Sequence, residues 1–174
     1  TTIEESAFCG CKGLVGITLP ESVTELKSSA FEGCYSLAKI NIPEGITAIG
    51  NSAFRGCRKL TNITIPKNVR TIGTSAFYNC RSLVSIVIPE GVTKIPGGQY
   101  SYGVFEGCSS LTDITLPESI TEIGKSAFKG CGSLTNIAIP KNVQTIGDSA
   151  FEGCSSLTSI TIPESVTSIG WSAF

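Results

Sequence analysis

AFEGCSSLTSITIPESVTSIG, residues 150–170, decides how this chain is read, because the same phrase recurs with small changes along its whole length. Copies begin at Ala7, Ala30, Ala53, Ala76, Val104, Ala127 and Ala150, with a partial copy at Ala173. Each start lies 23 residues after the previous one except Val104, which lies 28 after Ala76. The five extra residues fall within PGGQYSYG at 96–103. A fixed period of this length marks a tandem repeat, whose units bury their apolar faces only against their neighbours.

The columns of the repeat say what each coil is made of. Leu14, Leu37, Leu60, Leu83, Leu111, Leu134 and Leu157 form one, and Ile17, Ile40, Ile63, Ile86, Ile114, Ile137 and Ile160 follow three residues later. A second Leu or Ile comes two residues on, directly followed by proline at 20, 43, 66, 89, 117, 140 and 163. Two apolar residues spaced by two point to one face of a strand, and a proline without an N–H ends the ladder where the chain turns. The V-T-x-I-G stretch predicts a second short strand, with Gly50, Gly73, Gly124, Gly147 and Gly170 permitting a bend. The S-A-F-x-G-C segment predicts a single helical or 3₁₀ turn on the opposite wall. Copies stacked as parallel strands place each Ile against its own counterpart in the next coil. Roughly eight inward side chains per coil, each contributing on the order of 1.5–3 kcal/mol when large and fully buried, offset the ordering entropy. All eight phenylalanines, from Phe8 to Phe174, occupy one column.

These residues carry a family resemblance. Seven recurrences of L-x-x-I-x-I-P with A-F-x-G-C at fixed spacing resemble the BspA-like, or Treponema-type, leucine-rich repeat, over the whole chain except the insertion. The resemblance implies an α/β solenoid: a right-handed leucine-rich repeat with a parallel concave β-sheet, short second strands and helical or 3₁₀ turns opposite. Residues 1–174 then form a single domain of seven full repeats. It further implies a secreted or cell-surface protein of bacteria or parasitic protists, often an adhesin for host proteins or other microbes.

Composition narrows the chemistry. A net charge of −1 supplies no field that would draw the chain onto nucleic acid. No apolar run reaches the roughly 18 residues of a membrane-spanning helix, so no membrane insertion is expected in this segment. There is no histidine, which removes the commonest general base and metal ligand at neutral pH. No catalytic residue, cofactor or metal ligand is therefore expected. With no methionine and both ends inside a repeat, the chain is expected to be a piece of a longer protein.

Seven of the eight cysteines, Cys11, Cys34, Cys57, Cys80, Cys108, Cys131 and Cys154, stand in one column three residues before the Leu. Stacked copies point their Cβ atoms in parallel, which disfavours disulfides, and a buried ladder of free thiols is expected. Cys9 departs from this pattern, in a column otherwise filled by Glu32, Arg55, Tyr78, Glu106, Lys129 and Glu152, where exposure is expected.

Function is expected where the repeat fails to repeat. The outward strand positions, such as Lys39, Asn62, Ser85 and Asp113, are small, polar and free of aromatics, and the post-proline column is an acidic stripe interrupted by Lys67 and Lys141. The turns before each Leu instead gather Tyr35, Arg55, Arg58, Lys59, Tyr78 and Arg81 in the second to fourth copies. Such a basic, aromatic edge suits acidic proteins or sulfated glycans. The insertion carries Gln99, Tyr100 and Tyr102, and loops bear function more often than scaffold. Two readings of its tyrosines stand: a binding loop, or a fold-back over Phe105 and Val104. Trp171 either binds or caps the last coil. The candidate partner-binding residues are thus Tyr100, Tyr102, Gln99, Tyr35, Arg55, Arg58, Tyr78 and Arg81. The expected role is a non-catalytic module that binds a protein or glycan surface ligand outside the cell. The alternative is a structural solenoid that self-associates end to end into a filament or surface layer.

Overall fold

The computed structural model describes residues 1–98 and 102–174. Its strands are β1 (Thr2–Ile3), β2 (Gly16–Ile17), β3 (Glu25–Leu26), β4 (Lys39–Ile40), β5 (Ala48–Ile49), β6 (Thr71–Ile72), β7 (Ser85–Val87), β8 (Lys94–Ile95), β9 (Asp113–Thr115), β10 (Glu122–Ile123), β11 (Thr145–Ile146) and β12 (Ser168–Ile169). All pairings are parallel, and each joins one column to itself in the next coil. Leu26 lies opposite Ile49, Ile49 opposite Ile72, and Ile123 opposite Ile146. The repeat dictates this register, because a slip of one residue would turn every apolar side chain to water.

The relative extent of the two strand rows differs from expectation. The V-T-x-I row forms two four-stranded sheets, β1-β3-β5-β6 and β12-β11-β10-β8. The L-x-x-I-x-I row forms only the pairs β2-β4 and β7-β9, with a lone bridge between Asn62 and Ser85. Side chains take over part of that ladder. Asn41 Oδ1 accepts the Leu19 N–H at 2.8 Å, and Asn41 Nδ2 donates to the Leu19 carbonyl at 3.0 Å.

The gap between β6 and β8 has a specific cause. In the second, third and fifth coils the glycine after the strand donates to the coil before it: Gly50 to the Leu26 carbonyl, Gly73 to Ile49 and Gly124 to Ile95. In the fourth coil that column holds Pro96, which has no N–H for the Ile72 carbonyl, and β6 and β8 do not pair. Just beyond it, a Cβ on Gly97 or Gly124 would overlap the backbone of the neighbouring coil, so the close approach of the two coils here requires that glycine pair. The insertion therefore begins at a broken rung.

On the opposite wall the expected helical or 3₁₀ turn is not formed, and no helix occurs among the described residues. The backbone divides its amides between two directions. Within the second coil the Glu32 N–H donates to the Ser29 carbonyl and Cys34 to Phe31, closing tight turns. The alternate amides, of Ser29, Phe31 and Gly33, donate to Asn51, Ala53 and Arg55 of the next coil. A helix would keep all of these bonds internal. Ser29 at φ 56° and Gly33 at φ 70° interrupt any helical path.

Between the walls the phenylalanine rings form a continuous stack, with centroids 5.0–5.7 Å apart and planes within 10° of parallel. Parallel planes at that separation are offset, the favoured stacked geometry. Six thiols, from Cys34 to Cys154, are buried and free. They do more than fill space: each donates to the phenylalanine carbonyl of the preceding coil, as from Cys80 Sγ to Phe54 O at 3.1 Å and Cys108 Sγ to Phe77 O at 3.1 Å. Cys11 departs from the expected buried ladder and is exposed in the first coil.

Candidate ligand-binding edge

The turn wall sets which side chains face out. Phe54 and Cys57 are fully buried, so Arg55 and Arg58, each next in the chain, emerge beside one another. Stacking turns these positions into two columns. One runs through Glu32, Arg55 and Tyr78, and the other through Lys12, Tyr35, Arg58 and Arg81.

Contacts within the columns alternate charge and aromatic ring. Lys12 from the coil before and Arg58 from the coil after both lie over the Tyr35 ring, at 5.8 and 4.5 Å from its centroid. Arg55 pairs with Glu32 at 3.2 Å and also lies 5.5 Å from the Tyr78 centroid and 5.4 Å from that of Tyr102. Tyr102 stacks on Tyr78, centroid to centroid at 3.9 Å. The insertion and the basic edge, read from the sequence as separate features, thus meet at one place. Tyr102 remains 42% exposed and Tyr35 39%. Arg58 and Arg81 are exposed, whereas no aromatic contact joins Arg81 to the cluster among the described residues. Gln99 and Tyr100 lie outside the described residues. Val104 and Phe105 are fully buried, and the ring of Tyr102 rests on Tyr78.

Electrostatics follow the packing. Burial pushes the Tyr78 phenol above its ordinary value, the Tyr102 hydroxyl and Glu106 push it further, and the Arg55 cation pulls it part of the way back. Between the columns lies a cleft of about 160 Å³ lined by Glu32, Gly33, Tyr35, Arg55, Gly56, Arg58, Tyr78 and Asn79. Asn79 adjoins it in the glycine column, at φ 57°, with its Oδ1 where any Cβ on Gly107 would fall. Sequence reasoning missed Lys12 and Glu32 as members of this edge. Column register contained the signal for both, since Lys12 follows Cys11 as Tyr35 follows Cys34.

The other departures are dispersed. Trp171 is 86% exposed beside Ile169 and Phe174, and Cys9 is exposed on the first coil. The strand wall bears a hollow of about 450 Å³ at Val87, Pro89, Leu116 and Pro117, without aromatic residues. Among the described residues no helix is long and apolar enough to cross a membrane.

Comparison with known proteins places this geometry. The family model described as "BspA type Leucine rich repeat region" matches residues 1–103 and 99–174 in six copies. No curated protein matches. Among solved structures, the leucine-rich repeat protein of Treponema pallidum is similar at 39% identity and a TM-score of 0.81, over 90% of this chain and 73% of that one. A leucine-rich repeat protein from Bacteroides ovatus is 34% identical with a TM-score of 0.84, over 97% of this chain and 43% of its own. One from Eubacterium ventriosum is 31% identical with a TM-score of 0.61, over 85% and 45%. The chain therefore spans less than half the length of the latter two.

Proposed function

Because the chain belongs to the BspA-type leucine-rich repeat family, we propose that it is a non-catalytic binding module, secreted or displayed at a cell surface, which adheres through the Arg/Tyr edge. Leucine-rich repeat proteins in general mediate protein binding. The observation that carries the reading is the seating of Tyr102 against Tyr78 and Arg55. It brings an inserted loop, the departure from the repeat least explained by scaffold, onto the surface richest in the Tyr and Arg residues that dominate binding energetics. The six buried thiols are compatible with an extracellular setting, since burial raises their pKa values and keeps them unreactive.

The test is capture of surface glycoproteins by the intact chain and by a Tyr35→Ala/Arg58→Ala/Tyr102→Ala variant. At least a tenfold loss of affinity is expected. Unchanged capture by a folded variant removes this edge from the account. End-to-end self-association is a second reading, since every strand pair joins one column to its own copy in the next coil, a pairing that another copy of the chain could extend. Sedimentation over a range of concentrations tests it, and a strict monomer throughout eliminates it.

A further inference from the structure

The two columns of the edge divide the work, and the division points to a ligand. In the Arg55 column, charges are matched within the stack: Glu32 takes Arg55 at 3.2 Å, and Glu152 takes Lys129 at 2.8 Å. The neighbouring column reads Lys12, Tyr35, Arg58, Arg81, Ser109, Gly132 and Ser155 and holds no carboxylate at all. Its cations sit at one end, over the first four coils. Three steps at the ~4.8 Å spacing of parallel strands make a line of positive charge roughly 14 Å long. Tyr35 separates Lys12 from Arg58 and holds both against its ring, which limits their freedom before any ligand arrives.

We propose that this line, Lys12–Tyr35–Arg58–Arg81, is a subsite for a linear sulfated polysaccharide, an inference that rests on the edge being the binding face. Its geometry suits a thin polyanion better than a folded protein. A protein partner seats apolar anchors in desolvated pockets, yet the adjoining cleft of about 160 Å³ is smaller than the ~300 Å³ at which ordinary ligand pockets begin. A cation already covers the Tyr35 ring from each neighbouring coil, so what remains for a ligand is charge and guanidinium N–H. Planar guanidinium groups match the oxygen geometry of sulfate esters with paired hydrogen bonds; Arg58 and Arg81 stand exposed to offer them, while the Glu32 carboxylate on the cleft wall is already paired with Arg55. Arg55 is then a positioning residue, committed to Glu32, Tyr78 and Tyr102.

The experiment is titration of the whole chain with a heparin oligosaccharide, its desulfated counterpart and poly-glutamate of equal charge, each at several salt concentrations. Heparin is expected to bind at least tenfold more tightly than either alternative. The Lys12→Ala/Arg58→Ala/Arg81→Ala variant should lose at least tenfold, and each cation removed should lower the slope of log affinity against log salt by roughly one. Arg55→Ala should weaken binding with the slope unchanged. A Lys39→Ala/Lys67→Ala/Lys141→Ala variant removes equal charge from other faces and should bind as the parent does. Far-UV circular dichroism melts confirm folding of each variant.

Equal binding of poly-glutamate, or equal losses in the two triple variants, overturns the sulfated-glycan assignment in favour of unspecific charge or an acidic protein. Failure to bind heparin, with glycoprotein capture still lost on mutating the edge, overturns the assignment but leaves the adhesion edge standing. Heparin binding through this column, with glycoprotein capture indifferent to it, overturns the adhesion reading instead.

Discussion

Tyr102 and Tyr78 lie ring on ring, with centroids 3.9 Å apart and planes 17° from parallel, across a separation of 24 residues in the chain. The pair closes the insertion onto the turn wall. Pro96 opens the rung where the insertion leaves, since it has no N–H for Ile72, and Tyr102 fastens the segment where it returns. The Ser75 hydroxyl adds a second attachment by donating to the Tyr102 carbonyl at 2.9 Å.

A double-mutant cycle over Tyr78→Ala and Tyr102→Ala should therefore show coupling of about 0.5–1.5 kcal/mol in urea unfolding. The phenol offers a second readout. Burial and the Tyr102 hydroxyl raise the Tyr78 pKa in the folded state, so the folded state holds this proton more tightly than the unfolded chain. The associated stability is present below the ordinary phenol value near 10 and is lost as pH climbs through the raised one. Tyr102→Phe removes the hydroxyl that helps raise Tyr78, so Tyr78 should ionise at lower pH in an ultraviolet absorbance titration. An additive cycle together with an unmoved titration contradicts the clasp.

The thiols make a prediction that can be counted. Cys9 and Cys11 are exposed and the other six are buried. Burial pushes Cys34 and Cys154 up to about 11, Cys57 higher still, and Cys80, Cys108 and Cys131 well above the ordinary thiol value. Iodoacetamide at pH 8 should modify two thiols in the native chain and all eight after denaturation, as read by intact mass. The folded state retains these protons above pH 9, where unfolded thiols ionise, so stability should fall as pH rises from 9 toward 11 and beyond. Each thiol contributes up to about 1.4 kcal/mol per pH unit across its own interval. A melting temperature unchanged between pH 8 and pH 10.5 would contradict this.

The phenylalanine stack should be unequal along its length. Phe77 is fully buried between Phe54 and Phe105, whereas Phe174 is 53% exposed at the far coil. Phe77→Ala should cost about 3–5 kcal/mol in chemical denaturation, and Phe174→Ala a small fraction of that. Similar losses at the two sites would mean that the stack is not what holds the coils together.

Much of this was legible in the sequence, and particular residues show why. The Ile columns predicted same-column pairing, found at Ile17–Ile40 and Ile86–Ile114, because a repeated side chain has only its own copy as a neighbour. The Cys column predicted buried free thiols, but the bond from each Sγ to a phenylalanine carbonyl depends on where the previous coil places that carbonyl. The single helical or 3₁₀ turn expected of S-A-F-x-G-C has no helix to match it among the described residues, because the segment closes tight turns while its alternate amides leave for the next coil. Lys12 was overlooked as a partner of Tyr35 because the pair lies 23 residues apart and neither residue is unusual alone.

By itself the sequence determined the period, the core columns and the list of places where the period breaks. These follow from burial and register, which are properties of one unit and its copy. Only the tertiary structure decided that Tyr102 rests on Tyr78, that Arg55 is held by Glu32, and that Lys12 and Arg58 share one ring. The physical reason is that side chains on an outer wall are chosen by neighbours a full coil away, through geometry that no local pattern records.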